Sequence, residues 1–539
     1  VAGFAMALAA LVALSSVSSP EGLGRLPYLA SRSVARMVLA FALSTVFAIV
    51  YGHTAATSRR AARVMLPLLD VLQSVPILAF FPAAVLFFVS LFHGSPWGLE
   101  AASVFLVFTS QSWNMAFGVY EAISTLPLET RDAADVMGAK GWMRLRRVIL
   151  PACVPKLVYN GIVSWAGGWY FVTASEIIST NSGNATLPGL GSFILTAGER
   201  GDLRALGAGL GVLILVVLLF EFLLWRPLQV WAERYKFEAV RAGTQPTSRA
   251  LAFYRRMAPR PAATRPATGA RLRRAPRPPR PDHERALGVV RAALAVFFGA
   301  LFLAAVGFLG YALLGVLSHP LPLEAASIPL ALLASTGRLL AAYAITVAWT
   351  VPAAILIGRS DRASRILMPL TEVLASLPAA ALFPLIVLVL VGVTGSLGLP
   401  SILLVLTGMQ WYLLFNLIAG ARQIPNDLLS AADLYGVKGW LRWRRVILPA
   451  MMPALVTGSI TAWGGGWNAL IVSEYVQFGD RTYRTFGIGE LIDTATFERH
   501  DTALLLLSVL AMVAFIYAIN VAFWRPVYRR AMGKYRLEP

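Results

Sequence analysis

Two segments 298 positions apart carry the same charged pattern in an otherwise oily chain: residues 132–151 read DAADVMGAKGWMRLRRVILP and residues 430–449 read SAADLYGVKGWLRWRRVILP. Ala133, Ala134, Gly138, Arg146, Arg147, Leu150 and Pro151 recur as Ala431, Ala432, Gly436, Arg444, Arg445, Leu448 and Pro449, while Asp132 becomes Ser430. Identity over such a length marks internal duplication. Each copy is a charged, amphipathic segment, and its glycine permits the chain to turn.

A second set of repeated residues lies within apolar stretches. Trp165, Trp169, Val172 and Glu176 follow at i, i+4, i+7 and i+11, and Trp463, Trp467, Leu470 and Glu474 repeat the spacing, so each set shares one helix face. At 1.5 Å per residue, Glu176 lies roughly 30 Å from Pro155, near the outer mouth of a span. Membrane-embedded carboxylates usually face a bundle interior, so the stripe is a candidate pore lining. Helix packing through Gly167, Gly168, Gly465 and Gly466 is the competing reading. The glutamates are expected to serve a gate or a structural hydrogen bond, because a carboxylate repels an anion. Arg36 with Arg338, Gln111 with Gln410, Asp70 with Glu372 and Ser74 with Ser376 are further polar pairs, and Trp113 falls opposite Tyr412. The two arginines could draw an anion into a pathway or snorkel to headgroups.

These residues need spanning helices to position them. The chain has 539 residues, 57% hydrophobic and 14% charged, with mean hydropathy +0.67. Soluble proteins carry about 25% charged residues, so a polytopic all-α membrane protein is expected. Apolar stretches of about 20 residues fall near 33–52, 71–92, 101–119, 157–178 and 205–225, then near 287–316, 338–357, 373–393, 398–418, 454–475 and 503–524. The stretch 1–14 is read as part of a further span rather than a secretory signal, giving six spans per half and about 12 transmembrane helices in all. Pro76, Pro82, Pro378 and Pro384 interrupt one span in each half. Basic residues gather in alternate loops, and the loops at 93–100 and 394–400 have none, which places both termini in the cytoplasm. An even span count orients both halves alike, with a pseudo-two-fold axis along the membrane normal.

The expected domains are a first repeat at 1–226 with its loop at 129–151, a connector at 227–286, and a second repeat at 287–539 with its loop at 427–449. The Pro- and Arg-rich connector holds much of the +20 net charge and reads as a disordered cytoplasmic linker. Its core lacks an aromatic platform for nucleic acid, and the lipid surface accounts for its arginines. Cys153, the single cysteine, has no companions for a metal or redox site.

The pattern acidic-Ala-Ala, three residues, Gly, nine residues, aliphatic, one residue, Leu-Pro resembles the "EAA" loop of binding-protein-dependent ABC importer permeases. Trp165-Ala166-Gly167-Gly168-Trp169 with Glu176 and its second copy, Pro67 to Pro76 with Pro369 to Pro378, and Gly189-Leu190-Gly191 with Gly487-Ile488-Gly489 resemble the nitrate, sulfonate and bicarbonate branch in its duplicated, fused form. The resemblance implies a type I importer permease in a bacterial or archaeal plasma membrane. Each loop would be a coupling helix docked on one of two copies of an ABC ATPase subunit, with an extracytoplasmic substrate-binding protein delivering a small anion. Ser430 in place of the family's carboxylate would weaken the second docking contact. No lysine lies in a G-x-x-x-x-G-K-[ST] loop, so the chain carries no cofactor, and ATP and Mg belong to the partner ATPase. The alternatives are a fused iron(III) or thiamine permease, a secondary transporter driven by an ion gradient, and a membrane scaffold without transport.

Overall fold

The computed structural model describes residues 22–74, 76–126, 128–139, 141–181, 187–235, 320–478 and 481–535, with isolated positions between 307 and 318. The expected span at 1–14, nearly all of that at 287–316, most of the connector and Lys140 lie outside the described residues, as do the side chains of Asp70, Ser74, Glu372 and Ser376.

The first half runs α1 (Leu26–Thr57), α2 (Arg59–Ser74), α3 (Phe81–Leu91), α4 (Pro96–Ser124), α5 (Leu128–Val136), α6 (Leu150–Asn181), α7 (Leu190–Glu199) and α8 (Leu203–Phe220). The second repeats it as α9 (Ile328–Arg359), α10 (Asp361–Ser376), α11 (Ala379–Thr394), α12 (Gly398–Arg422), α13 (Asn426–Leu434), α14 (Leu448–Glu474), α15 (Ile488–Asp493) and α16 (Thr502–Ile519), and closes on α17 (Arg525–Tyr535). Between α14 and α15, β1 (Tyr475–Phe478) pairs antiparallel with β2 (Arg481–Arg484), Tyr475 opposite Arg484.

Seven helical stretches among the described residues, built on α1, α6, α8, α9, α12, α14 and α16, are long and apolar enough to cross a bilayer. The protein is therefore a polytopic all-α membrane protein. Helix α4 is comparably long, at 29 residues, with Thr109, Gln111, Ser112 and Asn114 along its middle. The expected spans at 71–92 and 373–393 are not continuous. Helix α2 stops at Ser74, Pro76 is extended with ψ 121°, and a 3-10 turn at Ile77–Phe80 leads into α3. Pro378, also at ψ 121°, separates α10 from α11. Proline pushes the preceding residue out of helical conformation, and the pieces that follow, of 11 and 16 residues, are short for a lone crossing.

Within each half the first long helix packs on the fourth, and the fourth on the long helix that follows the repeated loop: α1 on α4 on α6, and α9 on α12 on α14. The halves interlock through their broken spans. Helix α11 packs against α6 and α7, and the turn Ile77–Phe80 packs against α14. Helices α8 and α16 each begin on an aspartate cap: Asp202 accepts from the N–H groups of Arg204 and Ala205, both at 3.0 Å, and Asp501 from Ala503 and Leu504 at 2.9 and 3.0 Å.

Packing sets the register between the halves. Gly168 of α6 lies against Gln111 and Met37, and Gly466 of α14 lies against Met409 and Leu339. Gln111 therefore occupies the place of Met409, not that of Gln410 as the sequence match implied. Trp113 likewise matches Trp411 rather than Tyr412. Phe47 meets Trp113 edge-on at 5.8 Å, and Trp349 meets Trp411 at 6.2 Å.

Candidate functional site

Each repeated loop is a short helix with a glycine stop. In α5, Met137 N–H donates to Ala133 O at 3.0 Å and Ala139 N–H to Ala134 O at 2.8 Å. In α13, Tyr435 N–H donates to Ala431 O at 3.0 Å and Val437 N–H to Ala432 O at 2.8 Å. Gly138 and Gly436 sit at φ +68° and +67°, the left-handed conformation that ends a helix and that glycine adopts without penalty. One alanine of each pair, Ala134 and Ala432, is buried, and Asp132, Ala133 and Ser430 face outward, with Ala431 half-buried. The helix tips expose Val136 (89%), Met137 (78%), Leu434 (88%) and Tyr435 (86%). The sequence reading missed these four residues, although an apolar pair directly before a helix-ending glycine is a readable signal. Such uncovered apolar side chains mark a contact surface.

The basic run and the Leu-Pro have a backbone role as well. Leu145–Ile149 and Trp443–Ile447 are π-turns, and Leu150 N–H reaches back five residues to Leu145 O. Two more π-turns, Glu221–Trp225 and Asn520–Trp524, sit in the last long helix of each half. In these four a proline stands two residues past the turn, Pro151, Pro449, Pro227 and Pro526, whereas a fifth π-turn, Thr494–Glu498, has none. A helical proline has no N–H for the carbonyl four residues back and crowds it, so the helix widens there. Arg146, Arg147, Arg444 and Arg445 project into solvent from these turns, and Leu150, Pro151, Leu448 and Pro449 are half-buried. Arg442 also bridges Asp433 at 2.7 Å, tying the second loop to its own helix.

The tryptophan and glutamate stripes face the core of their own half, which corrects their reading as pore lining. Trp165, Trp169, Glu176, Trp463, Trp467 and Glu474 are all buried. Trp165 packs on Phe41 at 5.4 Å, Trp225 at 5.7 Å and Trp169 at 6.3 Å. Trp463 packs on Trp524 at 5.5 Å and Tyr343 at 6.1 Å. These are edge-on aromatic contacts, a favourable geometry. Gln111 is buried between α1 and α6, its Nε2 3.5 Å from Met37 Sδ. Gln410 is half-buried on α12.

Arg36 and Arg338 are bound to the glutamates. Arg36 donates from Nη1 to Glu176 Oε1 at 2.6 Å, and from Nε and Nη2 to Glu100 at 2.6 and 2.8 Å. Glu176 also accepts from Ser33 Oγ at 2.7 Å and Gly191 N–H at 2.7 Å. The second half builds the same knot: Glu474 accepts from Arg338, from Ser335 Oγ at 2.6 Å and from Gly489 N–H at 2.8 Å. Ser33 and Ser335 in turn accept from Leu190 N–H at 3.0 Å and Ile488 N–H at 2.9 Å. Gly189 and Gly487 lie directly on the carboxylates, so any side chain there would collide. Their glycine turns are needed for that close approach. Buried charges persist when paired and fully hydrogen-bonded, as here. The halves differ in one respect: Glu100 adds a second carboxylate to the first knot and takes Arg32 too, at 2.6 Å. Arg338 instead donates to Thr485 Oγ1 at 3.0 Å, while both arginines reach the carbonyl just before the glycine turn, Arg36 Nη2 to Pro188 O at 3.1 Å and Arg338 Nη2 to Phe486 O. So Arg36 and Arg338, read from sequence as drawing an anion or as snorkelling to headgroups, instead bolt the first long helix of each half to the glycine turn. Beside the second knot, burial holds the Asp493 carboxyl well above the usual aspartate range, with Glu474 and Glu490 adding like charge.

The sequence profile of a family described as binding-protein-dependent transport system inner membrane component matches residues 44–226 and again 350–524. The chain belongs to this family. As a duplicated inner membrane component of that kind it is a multi-pass membrane permease. It is 28% identical over 193 residues to the taurine transport system permease protein TauC of Escherichia coli, covering 35% of this chain and 66% of that protein. It is 25% identical over 147 residues to the bicarbonate transport system permease protein CmpB of Synechocystis, covering 27% of this chain and 51% of the relative. An ABC transporter permease of Methanocaldococcus jannaschii is 26% identical over 208 residues, 38% of this chain and 74% of that protein. The matches thus span between half and three quarters of these relatives, and the family profile places one inner membrane component in each half.

Proposed function

We propose that the chain is the two-half permease of an ATP-driven importer for a small anion, with both termini in the cytoplasm. Each loop helix docks on one of two ABC ATPase subunits, and an extracytoplasmic binding protein delivers the substrate. The observation that carries this reading is the pair of loop helices, each with an uncovered apolar tip, in a chain whose two halves both match the family. The taurine and bicarbonate names of the relatives support an anion as cargo.

In this reading ATP binding closes the ATPase pair and draws the two loop helices together. The π-turns Leu145–Ile149 and Trp443–Ile447 run directly into α6 and α14 and pass that movement to the long helices. A switch of this kind needs only a difference in contacts between its two states. The Arg36–Glu176 and Arg338–Glu474 knots would hold the far ends of the halves rigid while the near ends move.

The test is ATPase activity of the chain reconstituted with the ATPase and binding protein encoded beside it, screened over taurine, other sulfonates, bicarbonate and nitrate, then iron(III) and thiamine. Stimulation by one anion supports the proposal. Stimulation by iron or thiamine alone keeps the importer and overturns the anion class.

A further inference from the structure

A different face of α6 and α14 meets the space between the halves. On α6 the exposed or half-exposed residues Tyr159, Val163, Ala166 and Tyr170 follow at i, i+4, i+7 and i+11. On α14 the repeat-related Thr457, Thr461, Gly464 and Asn468 do the same. Each stripe lies about 100° round its helix from the buried tryptophan and glutamate stripe. Two observations show that these faces look across to the other half. Asn468 Oδ1 accepts from Ile77 N–H at 2.7 Å and Leu78 N–H at 3.3 Å, reaching from the second half to the broken span of the first. A methyl group on Gly167, next to Ala166, would lie 3.6 Å from Tyr412 Oη of the second half. Exposure falls along each stripe away from the loops, from Tyr159 and Thr457 to the half-buried Tyr170 and Asn468. The stripes are thus uncovered toward the loops, and the halves meet where Asn468 and Tyr412 reach across.

The two walls differ in chemistry. That on α6 is aromatic and aliphatic. That on α14 offers two hydroxyls and an amide, whose donors rest on the helix itself: Thr457 Oγ1 on Pro453 O at 2.9 Å, Thr461 Oγ1 on Thr457 O at 2.7 Å, and Asn468 Nδ2 on Gly464 O at 2.9 Å. A helical threonine has two accessible χ1 wells, so its proton can leave the carbonyl for an oxyanion and return. No charged residue lies on either stripe, and Lys156, at the mouth, is paired with Glu121 at 2.7 Å. Neutral donors hold an anion without trapping it.

Resting on the importer reading above, we propose that these stripes are the walls of the translocation path and that their unlike faces select a small organic anion, a carbon chain with an oxyanion head such as a sulfonate. The head meets the threonines and the chain packs on Tyr159, Val163 and Ala166. Each methylene buried there favours the organic anion over an inorganic one by about fourfold.

Cys153 is buried, which leaves the chain ready for single-cysteine labelling. In purified chain carrying Thr461→Cys, Val163→Cys or, as control, Val172→Cys, labelling by a charged methanethiosulfonate is followed with propanesulfonate, nitrate or bicarbonate present. The first two introduced thiols are expected to react at least tenfold faster than the control, and propanesulfonate should slow them more than either inorganic anion does. Lack of reaction in both the Thr461→Cys and Val163→Cys variants, or equal protection by all three anions, would overturn the proposal. In the assembled importer, Thr457→Val with Thr461→Val should lower sulfonate uptake about tenfold while ATPase assembly is unchanged; unchanged uptake would also overturn it. Failure of the unaltered importer to take up any anion would instead count against the importer reading, since the labelling pattern is read without transport.

Discussion

Glu474→Gln should destabilise the protein more than Glu176→Gln, although the two glutamates are repeat-related and equally buried. After Glu176→Gln, Arg36 keeps both of its bonds to Glu100, at 2.6 and 2.8 Å. Glutamine can still accept that bond, so the loss is its charge assistance, the difference between a charged and a neutral hydrogen bond, about 1–2 kcal/mol. After Glu474→Gln, Arg338 has, among the described residues, only the neutral acceptors Thr485 Oγ1 and Phe486 O. Breaking a buried pair on one side costs about 3–5 kcal/mol, and the 14% side-chain exposure of Arg338 puts this case near the lower end. The gap of about 2 kcal/mol corresponds to roughly 4–8 °C in unfolding midpoint at domain-size scaling. Tryptophan fluorescence against temperature in detergent, on monodisperse protein, reads it directly. Glu100→Gln combined with Glu176→Gln should erase the difference by removing both carboxylates from Arg36. Equal midpoints for the single variants, or a lower one for Glu176→Gln, would refute the claim that Glu100 buffers the first knot.

Gly138→Ala with Gly436→Ala forces a side chain into the left-handed region with no steric contact to blame, since nothing lies within 4 Å of either added methyl; at about 1 kcal/mol per site the helix tips fray, and pull-down of the ATPase should fall while membrane insertion holds. Met137→Asp with Tyr435→Asp should abolish that pull-down with no change in thermal midpoint, because both side chains are more than three-quarters exposed. Asp493→Asn should raise the midpoint at pH 7 and leave it unchanged well below the ordinary aspartate range, at about pH 2–3. The native carboxyl is held protonated above the ordinary aspartate range, so its penalty is absent while both states are protonated and grows as the unfolded chain ionises with rising pH; a stabilisation equal at both pH values would contradict this. Asn468→Leu leaves Ile77 and Leu78 N–H without their acceptor across the halves, and basal ATPase activity of the assembled importer should change severalfold; an unchanged rate would show that the contact does not gate.

Much of the fold was readable because duplication printed it twice: the loop segment, the glycine turns and the arginine and glutamate pairs all stand in matching places. What joins them was not. Arg36 and Glu176 are 140 positions apart, and no local pattern says that an arginine and a glutamate at the ends of different helices will meet. Periodicity placed the tryptophans on one face without saying which way it looked, and their large apolar surface turned it inward. Matching Gln111 to Gln410 by identity slipped the register by one residue. Packing shows the true one, most clearly where a contact swaps its partners: Gly118 lies on Asn160 in the first half, and Gly458 lies on Asn416 in the second. The same total volume is kept with the residues exchanged, which comparison of letters alone reads as two losses. Asn468 was overlooked because its counterpart is Tyr170, and a search for repeated residues passes over the places where the halves diverge.

The central claim is that this chain moves an anion by coupling to ATP hydrolysis in separate subunits. Anion uptake into proteoliposomes holding the chain, its ATPase and its binding protein, measured with ATP and with ion gradients collapsed, tests it most directly. Uptake that needs ATP and is lost with Met137→Asp and Tyr435→Asp is the predicted result. Uptake that persists without ATP and follows a proton or sodium gradient would contradict it.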